Sequence, residues 1–228
     1  MNRESAEKII DSTLAGGRKV LSEYESKRVL KAYGIPVARE VLVQEESEVA
    51  PVTADIGYPL VMKVCSAAIA HKTEKGLIRV DIRTDAEALQ AFREIKGGLE
   101  GQEGGVLIQE MIKGRRELVM GLTRDDQFGP CVMFGLGGIF TEILRDIVFR
   151  RAPLTREDAF AMMREIRASG ILDAVRGMKA ADRERLADML IGIGQIGIDL
   201  ARVREIDLNP VILSGKDPVV VDALIVLA

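Results

Sequence analysis

The run Pro59-Leu-Val-Met-Lys-Val-Cys65 constrains this chain more than any other stretch. Six of its seven residues are apolar, β-branched or small, so it reads as a strand buried on both faces. Lys63 sits in the middle of it. An unpaired ammonium inside such a strand is costly and tends to lose its proton, so Lys63 requires an anion, either a phosphate or a structural carboxylate. The loop after the strand carries Ser66, Lys72 and His71, the one histidine among 228 residues. Imidazole can serve near neutral pH as base, nucleophile or phosphate carrier, and it can equally be a solvated loop side chain.

Around this strand the chain alternates short apolar runs with amphipathic helices. Residues 4–15 place Ala6, Ile9, Ile10 and Leu14 near one helical face and stop at Gly16-Gly17. Ser22-Glu-Tyr-Glu25 opens a second helix, with Val29, Leu30 and Tyr33 as its apolar face and Gly34 as its C-cap. Strands are expected from Val37, over 59–65, from Gly76 to Ile82, over GVLIQEMI and over RELVMGL. A helix from Thr84 to Gly97-Gly98 lies among them. The second half offers the strand GPCVMFGLGG, a helix begun by Pro153 and Thr155, and a longer helix over 182–200. Gly192, Gly194 and Gly197 lie inside that last helix, each costing about 0.5–1 kcal/mol relative to alanine, so close packing against a neighbour is expected. VREIDLNPVIL and PVVVDALIVL then read as two strands around the SGKDP turn.

The resulting expectation is an α+β (α/β) protein of two lobes: an N-terminal helix over 1–21, a small lobe over 22–112 and a large lobe over 113–228. The net charge of −3 and a pI near 5.5 give no general drive toward nucleic acid or membrane, so any anion site must be local. Cys65 and Cys131 lack the paired spacing of a zinc site or redox dithiol. The charged N-terminal stretch has no signal-peptide core, and no apolar run reaches the ~18–20 residues of a membrane span, which places the protein in the cytoplasm.

Glu205, Asp207 and Asn209 stand two apart in one strand and so share a face, which Asp222 on a partner strand can join. Hard oxygen ligands of this kind suit Mg²⁺, which is typically held by one or two carboxylates together with phosphates; a polar sheet edge is the plainer alternative. GLGGIFTEILRD adds glycine backbone near Glu142, Arg145 and Asp146, either for close approach to a phosphate or as turn punctuation. Arg150-Arg151 read as solvated, with pairing to phosphates as the alternative. Neither a Walker A loop nor a GxGxxG after a strand is present.

Taken together, PLVMKV with SAAIAHK, VLIQEMIKGRRELVMG, DDQFGPCVMFGLGGIFTEILRD, and EIDLNPVIL with VVVDA resemble the ATP-grasp β subunit of ADP-forming acyl-CoA synthetases. That family includes acetate–CoA ligases and is related to the succinyl-CoA synthetase β subunit. The resemblance implies an ATP-grasp fold holding nucleotide between two lobes, and a relay in which a separate CoA-binding α subunit, in an α2β2 assembly, makes an acyl phosphate. The α subunit then carries the phosphoryl group on its own histidine, and the β subunit passes it to ADP through His71. It further implies Lys63 at the nucleotide phosphates, Gln109, Glu110, Met111 and Ile112 as the adenine hinge, Glu117 by the ribose or phosphates, Asn209 and Asp222 as Mg²⁺ ligands, and Asp207 steadying the phosphohistidine. Two departures stand out: Ala67 replaces the usual proline, and Lys75-Gly76-Leu77 replaces a glycine pair. The competing readings are a stand-alone ATP-grasp carboxylate ligase and a non-catalytic nucleotide-binding subunit.

Overall fold

A computed structural model describes residues 3–67, 76–138 and 145–228. It divides into two units, one made of Ser22–Tyr24 and Ala38–Met111 and the other of Met1–Leu21, Glu25–Val37 and Ile112–Ala228. Residues 25–37 therefore group with the C-terminal unit, not with the lobe over 22–112 that the sequence suggests. Val29, Leu30 and Ile35 are buried in that unit's core, and their apolar face decides which unit holds the helix.

In the smaller unit, strands β1 (Glu40–Val43), β2 (Leu60–Cys65), β3 (Ile78–Ile82) and β4 (Gly105–Glu110) form an antiparallel sheet in the order β1-β4-β2-β3. Helices α3 (Val49–Ile56) and α4 (Asp85–Gly97) join its core, in which Leu60, Met62 and Val64 meet Phe92 and Ile95. Strand alternation turns Val61 and Lys63 to the other face. Helix α3 and the 3₁₀ turn Glu46–Glu48 before it are not expected from the polar stretch EESEVAPV. Pro51 lies in the first turn of α3, where a missing amide costs nothing. Thr84 caps α4 by accepting from the Glu87 amide at 3.2 Å. The Glu87 carboxylate accepts from the Arg83 amide at 2.8 Å, so the Thr84–Glu87 pair makes one of the two bonds of a capping box.

The larger unit contains β5 (Glu117–Asp125), β6 (Gly129–Leu136), β7 (Ile147–Arg151), β8 (Val203–Ser214), β9 (Asp217–Val220) and β10 (Leu224–Leu227). The sheet runs β10-β8-β5-β6-β7, with β9 on the second half of β8. Helices α1 (Arg3–Ala15), α2 (Glu23–Ala32), α5 (Arg156–Glu165) and α6 (Arg183–Asp199) supply apolar residues to one core with Leu122, Val132, Phe134, Ile206 and Leu208. Strand β7 was not anticipated, because VFRR looked like a solvated basic stretch. Within it Arg150 is ion-paired with Glu165. The expected final strand divides into β9 and β10.

The glycines of α6 fit the close-packing expectation. A Cβ on Gly192 would stand 3.3 Å from Ile35 Cγ1 and the Tyr33 carbonyl, and one on Gly194 would stand 3.3 Å from Leu154 and Val132. At Gly197 it would run into Leu122 and come within 2.8 Å of Pro130.

Candidate functional site

In the larger unit the acidic residues are brought together by register. Asp207 of β8 lies opposite Leu224 of β10 and Gly121 of β5, and Gly121 in turn faces Met133 and then Phe149. Directly paired residues point to the same side of a sheet, so these five form one row across it. Glu205 belongs to the adjacent row with Thr123 and Cys131. Ile206 and Leu208 point the other way, into the helix-covered core. The acids thus lie on the face opposite that core.

Two irregularities complete the cluster. Between Leu118–Val211 and Met120–Leu208 the register of β5 and β8 shifts, leaving Asn209 and Pro210 opposite the single residue Val119. This is a β-bulge, a device that re-aims side chains locally. It leaves Asn209 exposed after the buried Leu208. The break between β9 and β10 brings Asp222 alongside: the Val221 amide donates to the Pro210 carbonyl at 3.2 Å, and Leu224 already pairs with Asp207. Residues 221–224 therefore span the side of β8 that carries Asp207 and Asn209.

Electrostatics agree with this placement. The Asp207 carboxyl is held above its ordinary value, first by burial and then by the negative charges of Glu205 and Asp222. A set of hard oxygen donors that repel one another is the donor chemistry that a divalent cation relieves. Among the described residues no group of three or more Asp, Glu, His or Cys is placed to hold a metal ion by itself. Asn209 with Asp222 fits Mg²⁺ that draws its remaining ligands from phosphates and water. Glu117, at the start of β5, is half-buried, and its carboxylate lies against Gly138; a Cβ there would come within 2.6 Å of Oε2. The Gly137 amide donates to the Glu117 carbonyl at 2.9 Å.

In the smaller unit Lys63 is paired across the sheet with Leu107, and Val61 with Gln109, so Lys63 and Gln109 share the face turned away from Leu60, Met62 and Val64. Lys63 is 4% exposed and ion-paired with Glu23, itself 4% exposed. Of the two anions open to Lys63 from sequence, a carboxylate is therefore present. Glu23 was not singled out there; its place in a capping-box pattern hid it. Gln109 is buried. The Glu110 carboxylate accepts from the Arg39 amide at 2.7 Å while the Glu110 amide donates to the Arg39 carbonyl at 2.9 Å. The Met111 amide donates to the Pro59 carbonyl at 3.1 Å. These bonds fix the backbone leading to Ile112. The Glu110 side chain is thus engaged with its own sheet edge.

His71 and Lys72 lie outside the described residues, as do Lys75 and Glu142. Ser66 donates to the Glu103 carbonyl at 2.7 Å. Asp146, one of the acids behind the glycine-rich turn, is buried and accepts the Arg167 and Ala168 amides at 2.7 Å each, which makes it a loop anchor. Cys65 is buried, and burial raises the thiol of half-buried Cys131. No helix is long and apolar enough to cross a membrane among the described residues.

Residues 12–227 match the ATP-grasp domain family. The chain is 42% identical over 227 residues to the β subunit of ADP-forming acetate–CoA ligase I of Pyrococcus furiosus, covering 97% of each chain. It is 44% identical over 228 residues to the β subunit of ligase II of the same organism, covering 96% of this chain and 97% of that one. Among solved structures it is similar to dinucleotide-forming acetyl-coenzyme A synthetase 1 of Ca. Korarchaeum cryptofilum, with a TM-score of 0.88 and 40% identity over 98% of this chain and 100% of that one. That structure is a complex with coenzyme A and Mg-AMPPCP whose phosphohistidine segment points towards the nucleotide binding site. The chain belongs to the ATP-grasp family, and within it to the group of ADP-forming acetate–CoA ligase β subunits.

Proposed function

We propose that this chain is the nucleotide-binding β subunit of an ADP-forming acyl-CoA synthetase, acting in the cytoplasm with a CoA-binding α subunit in an α2β2 assembly. The observation that carries the reading is Asp222 acting on Asp207 across the break before β10, with Asn209 two residues further along the bulged β8. It is supported by the 42% identity to a named β subunit along nearly the whole chain.

In the overall reaction acyl-CoA, ADP and phosphate give the free acid, ATP and CoA. His71 would take the phosphoryl group on a ring nitrogen from the α subunit's own phosphohistidine, whose P–N bond breaks as the new one forms and whose imidazole leaves neutral. A terminal oxygen of ADP then attacks that phosphorus, the P–N bond breaks, and the imidazole recovers its lone pair. Asn209 and Asp222 would hold Mg²⁺, which when bound neutralises phosphate charge and orients the oxygens. Asp207 would accept a hydrogen bond from the imidazole and hold its orientation. Lys63 would offer its ammonium to the nucleotide phosphates from beside Glu23. The backbone of Gln109, Glu110, Met111 and Ile112 would meet the adenine edge, and Glu117 the ribose or phosphates.

The test is to mix the chain with its α subunit, acyl-CoA, phosphate and Mg-ADP and follow ATP. His71→Ala is expected to abolish ATP formation and the acid-labile phosphoprotein while retaining nucleotide binding. Undiminished ATP formation by the variant would reject the carrier role.

A further inference from the structure

We propose that the larger unit carries a second anion site, a basic cleft for a diphosphate group, built around Arg116 and separate from the Asn209–Asp222 cluster. The cleft has a volume of about 620 Å³, and Lys113, Arg115, Lys179 and Lys216 are among its lining residues. Its one lining carboxylate, Asp217, is turned aside to Arg185 at 2.6 Å. Lys216 reaches Asp182 at 3.3 Å, and both of those side chains keep solvent access.

Arg116 makes this more than a scatter of surface cations. It lines the same cleft yet is only 4% exposed. Its guanidinium donates to four backbone carbonyls: Ile171 at 3.0 Å, Asp173 at 3.2 Å, Lys179 at 2.7 Å and Gly215 at 2.8 Å. None of these acceptors is a carboxylate. An arginine remains charged at any ordinary pH, and carbonyl dipoles offset a full positive charge only in part. The same four bonds tie down the segments that carry Lys179 and Lys216, so the walls are fixed before any ligand arrives. A backbone held around a buried cation favours a compact, multiply charged anion, because the loops need no further ordering and only the lysine and arginine side chains remain to be fixed. A diphosphate carries more charge and more acceptor oxygens than one phosphate, and so can engage more of the four lysine and arginine heads at once. Free pyrophosphate and the diphosphate of a nucleotide are the two sources of that chemistry.

The experiment is calorimetric titration of the full chain with pyrophosphate, without divalent metal, for the wild type, for R115A/K179A, and for R164A/K31A, which removes two exposed charges on helices outside the cleft. The expected result is saturable binding to the wild type, weakened at least about tenfold in R115A/K179A and less than about twofold in R164A/K31A. A parallel titration with ADP separates the sources. Equal weakening of ADP by R115A/K179A means that the cleft reads a nucleotide diphosphate; weakening of pyrophosphate alone means that the free anion is the ligand. Absence of pyrophosphate binding to the wild type, or equal affinity in the wild type and R115A/K179A, overturns the site. None of these readouts involves ATP synthesis, so the outcome is independent of the proposed phosphoryl relay.

Discussion

Lys63 and Glu23 form an ion pair whose side chains are 5% and 1% exposed, joining the middle of β2 to the first residue of α2. Two opposite charges at that depth hold each other in place, and removal of one takes from the other a buried partner that water cannot replace. Such single removals cost about 3–5 kcal/mol, whereas replacing both partners by apolar residues of similar volume is often neutral. Glu23→Ala is therefore expected to lose about 3–5 kcal/mol in urea unfolding, and E23L/K63M much less. A double variant as unstable as the sum of its single changes would contradict direct coupling. In nucleotide titrations E23L/K63M is expected to bind ADP more weakly despite its recovered stability.

The glycines of α6 make a graded packing prediction. Gly197→Ala places a methyl group against Leu122 and within 2.8 Å of Pro130, both part of the sheet beneath the helix. Overpacking of that kind costs about 1–3 kcal/mol, more than the helix-propensity gain of up to about 1 kcal/mol returns. At Gly192 the nearest atoms, at 3.3 Å, include the movable Ile35 side chain, so gain and crowding nearly cancel. Denaturation midpoints are expected to fall clearly for G197A and little for G192A. The reverse order would place the tight approach at the wrong turn of α6.

Much of this fold is legible because local chemistry and tertiary context agree. The continuous apolar run of β2, the cap at Thr155 and the glycines of α6 all point toward the structure that forms. The failures share a physical origin. Helix α3 hides in a polar stretch because its first turn tolerates Pro51, and β7 hides because its arginine is neutralised by a residue 15 positions away. The alternation that groups Glu205, Asp207 and Asn209 is visible in sequence, but the bulge that sets Asn209 apart from its ladder and the break that delivers Asp222 arise from strand pairing. Glu23 was missed for a related reason. Nothing local distinguishes a solvated glutamate in the first turn of a helix from one whose partner lies 40 residues further along the chain.

Asp207 gives the site a pH signature. Burial and the charges of Glu205 and Asp222 hold its folded-state pKa above the ordinary 3.8. A carboxyl raised on folding contributes stability that is fully present below about 3.8 and is lost as pH rises through the folded pKa. Asp207→Asn carries no such loss. In metal-free buffer the variant is therefore expected to gain stability relative to the wild type as pH rises from about 4 toward neutrality, with the difference smallest under acid conditions. Thermal or urea unfolding at several pH values measures it, and a difference independent of pH would mean that Asp207 ionises as freely in the folded chain as in the unfolded one.

Asp222 is expected to act on both its neighbour and its metal, and the two effects can be read separately. Because its charge is one of the causes that raise Asp207, Asp222→Asn should lower the Asp207 pKa in metal-free protein, as followed by carboxyl-carbon NMR titration. The same change removes one of the two proposed metal oxygens and is expected to erase most of the gain in AMPPCP affinity on adding Mg²⁺, at least about tenfold. Asn209→Ala removes the other oxygen without altering local charge. It is expected to weaken Mg²⁺-dependent AMPPCP binding while leaving the Asp207 titration nearly in place. A shared site predicts this split pattern: D222N changes both readouts and N209A changes only the second. If D222N shifted the titration and left Mg²⁺-dependent binding intact, the acids would be neighbours on the sheet without forming the metal site.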